Sequence, residues 1–348
     1  MTASRIMVIG GAGFIGTNAA EHFAKMGHRV MVVDNLSRRG ADANLEYLRR
    51  TIDSDFAQVD IRSADDITDA VRVARPDLIL HLAGQVAVTT SVLRPAEDFD
   101  INARGTVNVL EAIRREAPEA VLMFASTNKV YGGLEDCPAR LDGSRYVLDA
   151  LPQGVPEERP LDFHSPYGCS KGSADQYVRD YARIYGLRTV VFRQSCIYGP
   201  HQFGVEDQGW VAWFVITAVL KLPLTVYGDG KQVRDVLAVG DLVTAFECAW
   251  QRISETSGRI YNIGGGPART LSLVELLDLL KAQHRLMPAR VTFAPARPGD
   301  QLVYVSAIDR ARRDFGWAPR VSPEAGVAAL TKWVQANQDT LQRYVQRS

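Results

Sequence analysis

The sequence has no surplus of charge. Its 40 Lys and Arg stand against 40 Asp and Glu in 348 residues, so no global field gathers nucleic acid or an anionic membrane, and any anionic ligand must be held by local groups. Cysteine is scarce: Cys137, Cys169, Cys196 and Cys248 show no CxxC or repeated spacing, and the six histidines form no ligand-like cluster. That excludes the usual patterns of a disulfide framework or structural metal and fits a chain kept reduced in the cytoplasm. Long hydrophobic runs are also missing. The longest, WVAWFVITAVL at 210–220, falls short of the roughly 20 residues that span a bilayer and reads as a buried helix. MTASR leads directly into an apolar stretch that ends in glycines, which suits a first strand better than a signal peptide. There is no internal repeat and no low-complexity tract.

What is present is a core-forming sequence, 46% hydrophobic, with a regular alternation. Continuous apolar runs at 5–9 (RIMVI), 29–33 (RVMVV), 77–83 (DLILHLA), 120–126 (AVLMFAS) and 188–193 (RTVVFR) read as strands covered on both faces. Helix-like segments at 17–27, 65–74 and 105–117 lie between them. Strand alternating with helix predicts βαβ units, hence an α/β, doubly wound parallel sheet of the Rossmann type. After about residue 195 the pattern turns irregular. This predicts a smaller interleaved C-terminal lobe: residues 1–194 with 236–264 returning to the sheet as one domain, 195–235 with 265–348 as the substrate lobe.

Between the first strand and first helix lies GGAGFIG (10–16). A tight strand-to-helix turn, close approach of bare backbone to a pyrophosphate, and tight packing of helix on strand each call for glycine; Gly10, Gly13 and Gly16 can meet those demands. Phe14 and Ile15 belong to the same turn and are expected to contact the cofactor with it. Asp34, ending the second strand, stands where a carboxylate takes the adenosine ribose hydroxyls. It would repel a 2′-phosphate and so favours NAD, although Arg38 and Arg39 nearby could reverse that choice. Asp60 and Ile61 suit the adenine edge.

A second pattern is Tyr167 four residues before Lys171 in DFHSPYGCSKG (162–172). The pair is common by chance and carries weight only in context. On a helix the two share a face, so the ammonium can stand beside the phenol and help lower its pKa from about 10 towards neutrality, as a general base requires.

The glycine spacing, HLAGQ (81–85), STNKVYG (126–132), YGCSK (167–171) and RPGD (297–300) together resemble the extended short-chain dehydrogenase/reductase family of nucleotide-sugar epimerases and dehydratases, over nearly the whole chain. VDNLSRRGA, AGQVAVTTS, LDFHSPYGCSKG, DQGW and GKQVRDV, with the long segment from Gly133 to Pro166, are similar to the branch of that family that acts at C2 of a CDP-hexose. The resemblance implies Thr127, Tyr167 and Lys171 as the catalytic residues. It implies cofactor contacts from the glycine turn, Asp34, Asn35, Asp60, Ile61, Leu82, Ala83, Gln85, Asn102, Tyr167 and Lys171, and substrate contacts from Thr127, Asn128, His164, Gln194, Arg234, Arg297 and Asp300. No metal is expected.

Dehydratases of the family carry Asp-Glu directly after the catalytic Thr; here Asn128-Lys129 stands there, which disfavours elimination of water. Epimerisation needs only oxidation, rotation of a keto sugar and re-reduction. The expected activity is therefore epimerisation at C2 of a CDP-hexose, with 4-epimerisation of a UDP- or GDP-sugar as the alternative and a non-catalytic dinucleotide-binding protein as the reading from another class. Arg234 and Arg297 are expected to clamp the diphosphate, since arginine's fork suits phosphate oxygens. Cys196 departs from the Asn that is common in relatives. His164 has two readings, a lining of the sugar pocket or a buried structural histidine. The resemblance also implies a homo-oligomer, dimer or tetramer, built on the helices after INARGT and YGCSK. Ala174, Tyr177, Val178 and Tyr181 form one stripe there, which suits an interface or the core equally well.

Overall fold

The computed structural model describes residues 3–297 and 300–345. Five strands open the chain: β1 (Arg5–Ile9), β2 (Arg29–Asp34), β3 (Ser54–Gln58), β4 (Leu78–His81) and β5 (Val121–Thr127). A short antiparallel hairpin follows, β6 (Arg140–Asp142) with β7 (Arg145–Val147), and then β8 (Arg188–Gln194) and β9 (Cys196–Tyr198). The remaining strands are β10 (Pro223–Tyr227), β11 (Val233–Ala238), β12 (Arg259–Ile263), β13 (Thr270–Ser272), β14 (Arg290–Ala294) and β15 (Val303–Tyr304).

Seven strands make one sheet in the order β12-β8-β5-β4-β1-β2-β3, parallel throughout. Alternate residues of β1 point to opposite faces, and both faces are apolar. Ile6 and Val8 join one core with the helices Phe14–Lys25, Ala41–Thr51 and Val239–Gln251; Met7 and Ile9 join the other with Ala64–Ala74, Gly105–Glu116 and Ser165–Tyr185. Burial on both sides is why these strands read as unbroken hydrophobic runs. The order reverses between β1 and β4, leaving a crevice at their carboxyl ends.

A second layer is built around β11, which pairs with β13, β15 and β9. The helix Trp210–Leu220 lies inside a third apolar core with Leu273–His284, Pro323–Ala336 and Gln338–Val345. Being apolar on every side, it has to be enclosed. The segment after Gly133 packs its own small cluster, Leu134 and Val155 on Val130, Tyr131 and Tyr304, and ties the β6–β7 hairpin to this lobe: Arg145 Nη2 lies 2.6 Å from Glu275, and the Tyr146 amide donates to the Lys231 carbonyl at 3.0 Å. This segment thereby links the end of β5 to the lobe facing it.

Candidate active site

The glycine turn is built as a dinucleotide cradle. Gly10 has φ +81°, and a Cβ there would stand 2.6 Å from the Ala83 nitrogen; a Cβ on Gly16 would collide with the Gly10 carbonyl. Gly13 caps the helix that begins at Phe14, so the N–H groups of Phe14, Ile15 and Gly16 have no carbonyl a turn before them and face the crevice as a positive helix end. Asp34 is buried. Its carboxylate accepts from the Ala12 amide at 3.0 Å and the Leu36 amide at 2.8 Å. Burial raises its pKa, and these backbone donors pull it back down. Beside it Asn35 Nδ2 donates to Asp60 at 2.9 Å, and Arg62 holds the Asp60 carboxyl down at about 2. Ile61 is buried against Gly105, where a Cβ would lie 2.7 Å from the Ile61 side chain. These groups fit the adenosine half of a dinucleotide: bare backbone for the diphosphate, an acceptor for ribose hydroxyls, and an apolar wall.

Leu82 and Ala83 border the turn from β4, the Leu82 amide donating to the Ile9 carbonyl at 2.8 Å. Asn102 is fully engaged. Its Oδ1 accepts from the Gln85 amide at 3.0 Å, while Nδ2 donates to the Gln85 carbonyl, Asp98 and Ser170. It therefore fixes the Gln85 loop to the helix that bears Tyr167.

Thr127 ends β5 and Tyr167 and Lys171 lie in the first turns of Ser165–Tyr185; all three are buried. The Thr127 hydroxyl draws the Tyr167 pKa down, but burial dominates and pushes the phenol up to about 12. The i,i+4 spacing places Lys171 on the same helical face as the phenol, and its ammonium is held from below. Lys171 Nζ donates to the Ala125 carbonyl at 2.6 Å and sits 4.2 Å from the Phe124 ring centre, and burial drives its pKa to about 7. It is a low-lying amine one helical turn from a phenol that the chain alone keeps protonated. Arg38 lies close enough to Tyr167 to oppose that rise.

Gln194 pairs with Thr127 in the β5–β8 register, and its buried Nε2 has no hydrogen-bond partner among the described residues. Asn128 Oδ1 accepts from the Thr127 hydroxyl at 3.4 Å. Arg234 on β11 lies 2.6 Å from Asp300. Arg297 is 2.9 Å from Asp207 and packs on Tyr227, 3.9 Å from the ring centre; Pro298 and Gly299 of the same motif lie outside the described residues. Cys196 pairs with Val236, two residues beyond Arg234, and accepts from Trp210 Nε1 at 3.4 Å. Burial raises its thiol pKa, so it is a protonated packing group.

His164 is not buried. It is exposed at the start of the helix, 3.2 Å from Asp162, which corrects the buried reading. His81 and His201 are the buried histidines, one bonded to Thr106 at 3.0 Å, the other against Tyr47. The stripe on the same helix also divides: Ala174, Val178 and Tyr181 belong to the core, whereas Tyr177 is half exposed.

Sequence reasoning missed the buried ion pair beneath the helix. Arg193 binds Asp175 through Nε and Nη2, both at 2.9 Å, and Ser126 donates to the same carboxylate at 2.7 Å. Asp175 lies four residues beyond Lys171, so the helical face that joins Tyr167 to Lys171 would have led to it.

Comparison with known proteins gives the family. Residues 6–264 match the NAD dependent epimerase/dehydratase family. The CDP-paratose 2-epimerase of Salmonella typhi is 44% identical over 95% of this chain and 99% of its own length. A putative UDP-glucose 4-epimerase of Methanocaldococcus jannaschii is 29% identical over 96% and 100%. Among solved structures, Thermotoga maritima UDP-glucose 4-epimerase with UDP-glucose superposes with a TM-score of 0.80 at 30% identity, covering 96% of this chain and 99% of that one. The Thermus thermophilus UDP-glucose 4-epimerase complex with NAD gives 0.78 at 31%, covering 94% and 98%. The glycine cradle, the buried Asp34 and the Thr127–Tyr167–Lys171 group thus stand in an enzyme that belongs to the NAD-dependent epimerase/dehydratase family.

Proposed function

We propose that the protein is a nucleotide-sugar 2-epimerase acting on a CDP-hexose of the paratose, tyvelose or glucose type. The observation that carries this reading is the 44% identity, spread over nearly the full length of both chains, to a CDP-paratose 2-epimerase. The site supports it. Thr127 is followed by Asn128 and Lys129, so no carboxylate stands there to eliminate water.

Bound NAD supplies the hydride acceptor and donor and, when oxidised, positive charge beside Tyr167. Tyr167 takes the proton of the reacting hydroxyl, Thr127 orients that oxygen, and Lys171, released from the Ala125 carbonyl, binds the nicotinamide ribose and steadies the phenolate. The C2 carbon gives up a hydride and its hydroxyl a proton. The keto sugar turns over in the cleft, and hydride and proton return to the other face. Asn128, Gln194, Arg234, Arg297 and Asp300 line the substrate side, His164 its outer rim. Residues 1–194 with 236–264 hold the cofactor, and 195–235 with 265–348 the nucleotide sugar; β12 in the parallel sheet and Arg234 on β11 support that division.

Exposed Val92, Leu93, Phe99, Tyr177, Ile184 and Tyr185 on or beside the helices of the outer face support a homodimer or tetramer. No helix among the described residues is long and apolar enough to cross a membrane, and the four cysteines are free, in keeping with a cytoplasmic enzyme.

Turnover of a panel of CDP-, UDP- and GDP-sugars in heavy water tests the reading. A CDP-hexose deuterated at C2 is expected to yield its C2 epimer with the label kept and no solvent deuterium gained. Inversion only of UDP- or GDP-sugars at C4 would overturn the substrate, and solvent deuterium at C2 would overturn the mechanism.

A further inference from the structure

Lys129 is the residue of the cleft that the reaction above leaves without a task. Its backbone belongs to the catalytic turn. Its amide donates to the Thr127 hydroxyl at 3.2 Å, and its carbonyl lies against Gly168, next to Tyr167. Its ammonium lies within electrostatic reach of Arg234, Asp300 and Cys196. Arg234 already holds Asp300 at 2.6 Å, and no hydrogen bond or ion pair ties the Lys129 ammonium among the described residues. Two cations therefore share one carboxylate, which leaves the half-buried Lys129 ammonium without an ion-pair partner among the described residues. Such a charge is costly to keep unless something negative arrives to meet it.

The chemistry of the substrate says what arrives. In a nucleoside-diphosphate sugar the C2 hydroxyl stands on the carbon next to the anomeric one, whereas C4 lies across the ring from it. When C2 reacts at Tyr167, the sugar-side phosphate must lie close to the Thr127 turn; when C4 reacts, it is carried a ring's width away. A cation rooted two residues from Thr127 lies nearer the phosphate in the first pose than in the second.

We infer that Lys129 is a specificity-determining residue that binds the sugar-side phosphate of the substrate beside Thr127 and Tyr167 and so presents C2, not C4, for oxidation. The inference rests on the proposed CDP-hexose reading and names the residue that selects the carbon. Burial first, and then the neighbouring Arg234, lower the Lys129 pKa to about 8, with Asp300 and Cys196 opposing. The single negative charge of the bound sugar-side phosphate would hold the ammonium protonated.

The test compares CDP, which carries the sugar-side phosphate, with CMP, which lacks it, binding to the NAD-loaded protein by calorimetry. Lys129→Met should weaken CDP by about tenfold or more, as expected for loss of one charge-assisted hydrogen bond, leave CMP within about twofold, and leave NAD content unchanged. Lys129→Arg should restore most of the CDP affinity. Unchanged CDP binding, or equal weakening of CDP and CMP, would overturn the assignment, the second because it marks a general loss of pocket shape. Wild-type turnover of CDP-hexose, measured alongside, separates the two failures. A wild-type enzyme that inverts C2 while Lys129→Met binds CDP normally loses only this inference. A wild type that never inverts C2 loses the functional reading and with it the role of Lys129 in choosing the carbon.

Discussion

On one side of Thr127, behind β5, charge is closed off. Arg193 and Asp175 are essentially inaccessible, bind each other through two hydrogen bonds, and take up the hydroxyls of Ser126 and Tyr131 as well. On the other side, towards the lobe around β11, charge is left open: Arg234 binds Asp300, and Lys129 comes under the influence of both. Ser126 of the first region and Lys129 of the second flank Thr127 in the chain, yet the two regions are opposite in design. A charge that serves the scaffold needs its partner in place before anything binds, because an unpaired buried ion costs several kcal/mol. A charge that serves an anionic ligand must keep its surplus, and the same desolvation that makes it costly then favours binding.

Breaking the closed side should have the largest effect on the fold. Asp175→Ala leaves Arg193 buried and unpaired, and denaturant unfolding should report a loss of about 3–5 kcal/mol. The same variant frees Ser126 next to Thr127, so a preparation that still folds should also lose turnover. A wild-type unfolding midpoint would show that Arg193 finds water or another acceptor and that the pair is not structural.

Replacing the phenol tests the chemistry between the two regions. Tyr167→Phe keeps the ring and removes the proton acceptor, so turnover should fall by roughly 10²- to 10⁴-fold with NAD content intact. Wild-type turnover in that variant would mean that another group carries the proton.

The contrast sharpens through pH as well. In protein freed of nucleotide, Lys171 titrates near 7 and Lys129 near 8, both below the lysine value of 10.5. Across the window from those values to the ordinary one, the unfolded chain holds protons that the folded chain has released, so stability rises with pH from about 7 to about 10. Above that the raised phenol of Tyr167 begins to act in the opposite direction. A Lys129→Met, Lys171→Met double variant should flatten the rise in a thermal-unfolding series. An equally steep slope in the variant would assign it to other groups.

The strands of the parallel sheet, the glycine turn and the Tyr167–Lys171 pair were legible because each follows from local rules: two-sided burial makes continuous apolar runs, backbone at φ +81° calls for glycine, and helical spacing puts i and i+4 on one face. The carboxylate of Asp34 followed from its place at the end of the second strand, and the family motifs extended the reading to Thr127, Arg234 and Arg297. None of these rules says which way a long side chain will turn. His164 shows the limit: it is exposed at the mouth of the helix rather than buried.

The sequence by itself thus determined the fold class, the dinucleotide turn and the kind of chemistry, since these depend on periodicity and on residue types at short separations. Tertiary structure alone decided the partners of charge. Asp175 meets Arg193 across 18 positions of sequence, Arg234 meets Asp300 across 66, and Lys129 comes under the influence of both Arg234 and Asp300 without being bonded to either. The physical reason is that desolvation and Coulomb energy depend on distance in space and on what excludes water. Those are set only when the segment after Gly133 and the lobe around β11 fold down over the end of β5.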